Sequence, residues 1–374
     1  MQYTKLGNTD YNVSRLGFGC MRLPLTEKGG KRVVDEEAAE KMLRKGYELG
    51  INYFDTAYFY HDQLSETILG RAMKGIRDKC VIVTKSPGGF CKEPGDYRRI
   101  LEGQLERLQM SYVDFYHFHG INPTAFQETD EKGKWLEGAQ KAKEDGLIKH
   151  ISFSFHGPPE GLPKLVDMGH FESVLCQYNV LDRSNEEGIA YAKSKGLSVI
   201  AMGPLGGGRL SGLPKATAEK LGIDVKSSPE LGLRFVASNP NIDVICSGMS
   251  SEAQLMENFE IVSRIEPLTK EELAGIENMV KENKRIAELY CTGCNYCMPC
   301  PQEVNIPYIF DMSNYNRLYG IFDYAKANYA SIGTNPWVKG KRADACNDCG
   351  ECETKCPQKI KIRDQLKETH KALA

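Results

Sequence analysis

The chain has 374 residues, of which 41% are hydrophobic and 26% are charged, and its formal net charge is −2. These values are ordinary for a globular protein, and the near-neutral charge argues against nucleic acid or an anionic membrane as a partner. The sequence has neither an apolar run of about 20 residues nor a basic and apolar leader, so we expect a cytoplasmic protein. Its length predicts a large domain with a smaller one attached.

Short apolar runs alternate with helical stretches between residues 15 and 262, after a predicted hairpin over residues 3–14. The runs lie at residues 15–19, 52–56, 80–85, 113–119, 149–154, 173–178, 198–202 and 243–247. Because they are apolar on both faces, they predict a parallel sheet closed into a (β/α)8 TIM barrel. An open doubly wound sheet is the alternative, but eight units without GxGxxG after the first run favour the barrel.

A helix is predicted over residues 269–289, and its start carries a capping-box pattern in Thr269 and Glu272. The stretch that follows is rich in Tyr, Phe and Ile and also predicts helices. We therefore expect the barrel to occupy residues 1–265, with a helical linker and a small α-helical domain over residues 266–374.

Eight of the 13 cysteines form two short runs in this C-terminal part. They are Cys291, Cys294, Cys297 and Cys300 in the first run, and Cys346, Cys349, Cys352 and Cys356 in the second. The second spacing, which ends in Cys-Pro, resembles the one that holds [4Fe–4S] clusters in bacterial ferredoxins. It predicts a ferredoxin-like domain with two such clusters.

In two-cluster ferredoxins, the fourth cysteine of each run binds the cluster of the other run. The expected sets are Cys291, Cys294, Cys297 and Cys356 for one cluster, and Cys346, Cys349, Cys352 and Cys300 for the other. The first run is one residue shorter before its last cysteine, which leaves open whether that cluster forms. Zinc and disulfides are the alternatives; zinc more often takes two separated pairs of ligands, and disulfides are rare in a reducing compartment.

Polar residues stand where three successive strands of the predicted barrel end. Asp55, Lys85 and His119 close these strands, and Tyr60 follows Asp55 by a few residues. Chemistry in a barrel of this kind lies at the carboxyl ends of the strands, so these residues can converge on one point. Each residue taken singly also suits a structural role, as a helix cap or a packed ring.

The segments INYFDTAYFYHDQLSETILG, VIVTK and VDFYHFHG resemble the aldo-keto reductase family, and the cysteine runs resemble its iron–sulfur, ferredoxin-domain-containing branch. The resemblance extends over roughly residues 3–265. It implies an NAD(P)H-dependent enzyme that reduces an aldehyde or ketone, a small carbonyl substrate.

The resemblance gives each of these residues a role. Tyr60 would be the general acid that protonates the carbonyl oxygen. Lys85 would lower the phenol pKa from its ordinary value near 10, and Asp55 would keep Lys85 charged. His119 would orient the substrate oxygen, whereas we expect His117 to point to the opposite face of the strand.

The resemblance also implies a set of nucleotide contacts. They are Gly19, Cys20, Met21, Ser154, Gln177, Met202, Pro204, Leu205, Gly206, Gly248, Met249, Ser250, Gln254 and Asn258. The chain departs from the family at Phe155, where Asn is common, and at Met202, where an aromatic ring is common. Gly248 and Gln254 replace a common Lys and Arg that bind the 2′-phosphate of NADPH. The resemblance favours NADPH, but without these cations NADH is also a candidate cofactor.

The iron–sulfur clusters complicate this reading, because a hydride carries two electrons whereas a cluster accepts one at a time. The clusters imply a redox partner protein, yet carbonyl reduction does not need them. One alternative is a flavin- or cluster-linked electron-transfer oxidoreductase, although no motif indicates a flavin. Another is a redox-sensing protein with a cofactor-binding barrel, and the intact set of four polar residues favours an enzyme over it.

Overall fold

The fold is built on a closed barrel of eight parallel strands. The computed structural model describes residues 1–206, 210, 223–288, 295, 297–356 and 360–374. The strands are β1 (Tyr3–Lys5), β2 (Asn12–Ser14), β3 (Leu16–Gly19), β4 (Leu25–Lys28), β5 (Lys31–Val34), β6 (Tyr53–Asp55), β7 (Val81–Ser86), β8 (Val113–Ile121), β9 (Ile148–Phe155), β10 (Ser173–Gln177), β11 (Ser198–Met202) and β12 (Val244–Gly248). Strands β3 and β6 to β12 form the barrel, and each overlaps one of the predicted apolar runs, which confirms the (β/α)8 prediction.

Fourteen α-helices occur in the described part of the chain, and several begin at a polar side chain that caps the first turn. They are α1 (Glu36–Glu48), α2 (Leu64–Ala72), α3 (Asp96–Leu108), α4 (Pro123–Gly133), α5 (Trp135–Glu144), α6 (Gly161–Asp167), α7 (Glu186–Ser194), α8 (Ser228–Ala237), α9 (Glu252–Ser263), α10 (Lys270–Glu288), α11 (Ile306–Tyr319), α12 (Phe322–Ala330), α13 (Glu351–Lys355) and α14 (Ile362–Leu373). Asp35 caps α1, Asn122 caps α4 and Ser251 caps α9 by accepting a hydrogen bond from a backbone N–H. None of the described helices is long and apolar enough to cross a membrane.

The predicted N-terminal hairpin covers the amino end of the barrel. Its strands β1 and β2 pair antiparallel, and its side chains Leu6 and Val13 join the apolar cluster inside the barrel. Gly7, at φ +54°, lies so close to the start of β11 that a Cβ would come within 2.5 Å of Ser198 Oγ. With the amino end closed in this way, the carboxyl ends of the strands are left for the chemistry.

The strand register brings the ends of several barrel strands together. Gly248 pairs with Gly19, and Gly19 pairs in turn with Asp55. On the other side of Asp55, Lys85 on β7 pairs with His117 on β8. Residues that are far apart in the chain therefore share one edge of the barrel.

The chain divides into two compact units, Met1–Gly207 with Gly232–Pro267 and Gly208–Leu231 with Leu268–Ala374. In the second unit, helix α10 begins at the predicted capping box: Thr269 Oγ1 accepts from the Glu272 N–H at 3.2 Å, and Glu272 Oε2 accepts from the Thr269 N–H at 2.7 Å. Helices α11, α12 and α14 then pack around an apolar core. Helices α11 and α12 confirm the helices predicted between the cysteine runs. The domain boundary predicted at residue 265 stays a prediction.

Candidate active site

Lys85 is the centre of the candidate site, although its side chain is only 1% exposed. Its Nζ donates hydrogen bonds to Asp55 Oδ1 at 2.5 Å, to the Thr56 carbonyl oxygen at 2.6 Å and to Tyr60 Oη at 3.4 Å. An ammonium group has three N–H donors, so each one has an acceptor. Burial of this charge is tolerated because it is both paired and fully hydrogen-bonded.

The charge state of Lys85 follows from these contacts. Burial lowers its pKa, but Asp55 and Tyr60 raise it by more, so the net shift is upward. For the Asp55 carboxyl, burial has the opposite sign and raises the pKa, while Lys85 lowers it. The 2.5 Å contact therefore favours a protonated Lys85 facing an ionised Asp55 at neutral pH.

Tyr60 keeps its proton in this environment. Burial raises its pKa to about 12, although Lys85 lowers it. Lys85 thus lowers the pKa of the phenol, as expected, but burial raises it by more. Since the phenol oxygen accepts from Lys85, its own O–H is left to donate elsewhere.

The two histidines of β8 both face the interior of the barrel. The rings of His119 and Tyr60 lie 6.2 Å apart, at an interplanar angle of 84°. His117 is fully buried, with Nε2 4.0 Å from Asp55 Oδ2 and Nδ1 2.7 Å from Ser152 Oγ. The expected opposite orientation of His117 is wrong, because residues two apart on a strand share a face.

His119 lies at an irregularity of β8, where the register shifts between Phe118 and Ile121. Burial, together with the charge of Lys85, lowers its pKa to about 3. Its imidazole is therefore neutral at physiological pH and suits hydrogen bonding rather than donation of an extra proton. Its Nδ1 is buried and has no hydrogen-bond partner in the described part of the chain.

A buried polar network supports β7 beside Lys85. Glu66 Oε1 accepts from Thr84 Oγ1 at 2.6 Å and from Gln104 Nε2 at 2.5 Å. Gln104 also donates to the Lys85 carbonyl oxygen at 3.2 Å, while Arg107 binds the other oxygen of Glu66 at 2.8 Å. These contacts fix the backbone that carries Lys85.

On the nicotinamide side, the predicted contacts lie at the ends of β9, β10 and β11. Ser154 is buried, and its Oγ accepts a hydrogen bond from the Gly120 N–H at 2.7 Å. The Gln177 amide covers Gly203, where a Cβ would come within 2.5 Å of Oε1. Met202 is partly buried against the apolar cluster of the barrel.

The other predicted nucleotide contacts differ in their exposure. Gly19, Cys20, Pro204, Gly206, Met249 and Asn258 are buried, Leu205 is partly buried, and Met21, Gly248, Ser250 and Gln254 are exposed. Asn258 Nδ2 donates to Ser247 Oγ at 2.9 Å, and the Gly206 N–H donates to the Gly203 carbonyl oxygen at 2.8 Å. The remainder of the glycine-rich loop, residues 207–209, lies outside the described residues.

Arg22 packs over Gly248 at the end of β12, the position where the family commonly has a lysine. A Cβ on Gly248 would lie 3.2 Å from Arg22 Cδ, and Ser250 Oγ donates to the Arg22 carbonyl oxygen at 2.9 Å. The arginine is exposed, and none of the described residues accepts a hydrogen bond from its guanidinium. Sequence reasoning missed Arg22, because β3 and β12 meet only in the fold.

The sequence profile of the Aldo/keto reductase family matches residues 15–281, which include the whole of this site. The chain belongs to the aldo/keto reductase family. A second profile, that of the 4Fe-4S dicluster domain, matches residues 290–361 and covers both cysteine runs.

Known relatives of this reductase match it over most of their length. L-galactose dehydrogenase of Arabidopsis thaliana is 32% identical over 317 residues, which are 75% of this chain and 95% of that protein. The uncharacterized oxidoreductase YqkF of Bacillus subtilis is 26% identical over 76% of this chain and 98% of its own. The holo form of aldo-keto reductase AKR11C1 from Bacillus halodurans has a similar structure, with a TM-score of 0.62 and 27% sequence identity. The match covers 74% of this chain and 96% of that chain. The protein is thus an oxidoreductase of an NAD(P)H-using family with a 4Fe-4S dicluster domain.

Six of the reductase's eight predicted cluster ligands lie among the described residues, and none of the six forms a disulfide. Cys297, Cys300, Cys346, Cys352 and Cys356 border or join the apolar core of the second unit, whereas Cys349 is exposed. Cys291 and Cys294 lie outside the described residues. Over the described ranges, no three such side chains converge on a site for a single metal ion.

Cys352 is the buried cysteine of the second run. Burial raises the pKa of its thiol, and Glu353, Cys346 and Cys300 raise it further. The two exchanged sets of cysteines stay a prediction.

Sequence reasoning also did not identify two exposed aromatic rings near Tyr60. Phe59 is 51% exposed and Phe90 is 48% exposed, and their ring centroids are 5.7 Å apart. Phe59 lies inside the recognised segment, but a phenylalanine gives no local signal that its ring faces solvent.

Proposed function

We propose that this reductase reduces an aldehyde or ketone with NAD(P)H and that Tyr60 is the general acid. The observation that carries the proposal is the hydrogen bond from Lys85 Nζ to Tyr60 Oη at 3.4 Å. Because the phenol oxygen accepts in this bond, the phenol proton is available to a carbonyl oxygen. A reduced nicotinamide, when bound, supplies the hydride.

The surroundings of Tyr60 suit a proton transfer that follows the development of negative charge. A phenol whose pKa is about 12 donates little to a neutral carbonyl, but it donates readily to an alkoxide, which is a stronger base. The phenolate left behind would lie next to the ammonium of Lys85, whose charge Asp55 maintains. Neutral His119 would orient the carbonyl oxygen by hydrogen bonding.

The strand ends fit a nicotinamide nucleotide, and we favour NADPH over NADH. Gly203 leaves room for the Gln177 amide, which suits the carboxamide of the nicotinamide. Arg22 offers an exposed guanidinium at Gly248, where the family commonly has a lysine. A guanidinium binds phosphate well, so Arg22 supports a site for the 2′-phosphate.

We propose that the eight cysteines hold two [4Fe–4S] clusters, in the two exchanged sets of four. Such clusters supply one-electron transfer, which fits a redox partner protein rather than the hydride step.

The replacement Tyr60→Phe tests the mechanism. We expect kcat/KM for carbonyl reduction to fall by about 10²–10⁴-fold, with no change in the Kd of the nucleotide. Tyr112→Phe is the matched control, because Tyr112 is only partly buried and its hydroxyl donates to Asp78 Oδ1 at 3.4 Å rather than contacting Lys85. Unchanged turnover in Tyr60→Phe would contradict the proposed role.

A further inference from the structure

We propose that the carbonyl substrate carries an aromatic ring, which binds against Phe59 and Phe90. This proposal rests on the proposed function, since it places the carbonyl at Tyr60 and His119. It adds the class of group attached to the carbonyl carbon and the residues that select it.

A continuous series of ring contacts leads away from the general acid. The centroid distances are 6.2 Å from Tyr60 to His119, 5.9 Å from His119 to Phe59 and 5.7 Å from Phe59 to Phe90. A carbonyl held by the first two rings would place its substituent along the last two. Phe59 and Phe90 are 51% and 48% exposed, so each offers a large apolar area to a ligand.

The Phe90 ring is held in place by the packing of its own turn. Gly88 lies against Trp135, where a Cβ would come within 2.9 Å of Cη2. Trp135 Nε1 in turn donates to Ser86 Oγ at 2.8 Å, at the end of β7. The turn that carries Phe90 is therefore anchored to the same strand as Lys85.

Tyr58 packs against both exposed rings, 5.3 Å from Phe59 and 5.6 Å from Phe90. The Arg107 guanidinium lies 5.3 Å from the centroid of Tyr58, which fixes that ring in turn. A preorganised aromatic surface loses little freedom when a ligand binds, and this favours affinity.

The chemistry of this surface favours an aryl group over a polyhydroxylated one. Aromatic rings associate edge-to-face or with offset stacking at the separations seen here. A sugar also needs hydrogen-bonding partners for its hydroxyl groups, but Phe59 and Phe90 offer only apolar atoms. A sugar aldehyde is therefore the competing outcome of the test.

The test compares kcat/KM for benzaldehyde, propionaldehyde and glyceraldehyde in the wild type and in the Phe59→Leu and Phe90→Leu variants. We expect benzaldehyde to be preferred, and each variant to lower its kcat/KM by about tenfold while propionaldehyde changes little. Phe322→Leu, which removes a ring that is 43% exposed on α12, is the matched control. A preference for glyceraldehyde, or equal loss for all three aldehydes, would overturn the proposal.

A binding measurement separates this proposal from the proposed function. Benzamide, which is not reduced, is titrated into the protein with oxidised nucleotide and followed by saturation-transfer NMR. We expect binding in the wild type and weaker binding in Phe59→Leu, with unchanged circular dichroism as the check on folding. If benzamide binds but no aldehyde is reduced, only the proposed reaction fails; if aldehydes are reduced but benzamide binds equally to both proteins, the aromatic site is wrong.

Discussion

His117 Nε2 lies 4.0 Å from Asp55 Oδ2, deep in the barrel. Neither atom has a hydrogen-bond partner in the described part of the chain. Burial holds the pKa of His117 well below its ordinary value, and Lys85 and His119 lower it further. A neutral imidazole is thus the polar neighbour of the carboxylate oxygen that Lys85 does not bind.

Replacing His117 with Phe should weaken the support of Lys85 by Asp55. The phenyl ring presents no polar atom to Oδ2, so the pKa of Asp55, which burial already raises, should rise further. As the pH falls through that pKa, Asp55 takes up a proton and Lys85 loses its partner. We expect kcat/KM to fall by about tenfold and the acid limb of its pH profile to move to higher pH.

The control for this variant is His170→Phe, because His170 is exposed on the loop before β10. The pH profiles of kcat/KM for both variants are measured under the same conditions. Coincident acid limbs would contradict the role of His117 as a positioning residue, whereas a shift in His117→Phe alone supports it.

The rate of carbonyl reduction should not change with the titration of a histidine near pH 6.5. Burial lowers the pKa of His119 to about 3, so its ring stays neutral as the pH passes through the ordinary value near 6.5. Burial raises the pKa of Tyr60 to about 12, so the acid keeps its proton well into the alkaline range. The kcat/KM for reduction should be flat from about pH 6 to 9, while oxidation of the alcohol, which needs deprotonated Tyr60, should rise with pH. A fall in reduction centred near pH 6.5 would point to a histidine as the acid.

Arg22→Ala should discriminate between the two nucleotides. If Arg22 binds the 2′-phosphate, the Kd of NADPH should rise by about tenfold and that of NADH should stay the same. Equal weakening of both would place the guanidinium at the pyrophosphate instead. Fluorescence titration measures both constants, and Lys5→Ala, an exposed cation on β1, is the control. An unchanged Kd for NADPH in Arg22→Ala would contradict the binding of the 2′-phosphate by Arg22.

Cys300→Ala should remove the same cluster as Cys352→Ala. Both residues belong to the same predicted set of four cysteines, so each variant should lose about half of the bound iron. Carbonyl reduction should persist in the folded variants. Iron analysis and EPR provide the measurement, with Cys176→Ala on β10 as the control. Loss of different EPR signals in the two variants would refute the exchanged arrangement.

Reduced nucleotide by itself should leave the clusters unchanged. A hydride carries two electrons and a cluster accepts one, so transfer between them needs a mediator such as a flavin. Anaerobic protein with reconstituted iron is mixed with NADPH, then NADH, without substrate, while cluster absorbance and EPR are followed. Bleaching, together with flavin absorbance released by heat, would favour an electron-transfer enzyme over a simple reductase.

Local patterns were enough to locate the strands, the capping box of α10 and the residues at the strand ends. The reason is that apolar runs and capping residues act within a few positions of the chain. Asp55, Tyr60 and Lys85 meet as expected, because parallel strands of a barrel place their carboxyl ends at one edge. The orientation of His117 was also decidable from strand geometry, since residues two apart point the same way.

Only the tertiary structure decided the properties that sum over many elements. The pKa of Tyr60 depends on the burial contributed by all neighbouring segments, which outweighs the single charge of Lys85. Arg22 reaches Gly248 because β3 and β12 close the barrel, and Phe59 meets Phe90 because two loops from different strands fold side by side. Exposure and long-range contact are set by packing between distant segments, and no short stretch of sequence contains that information.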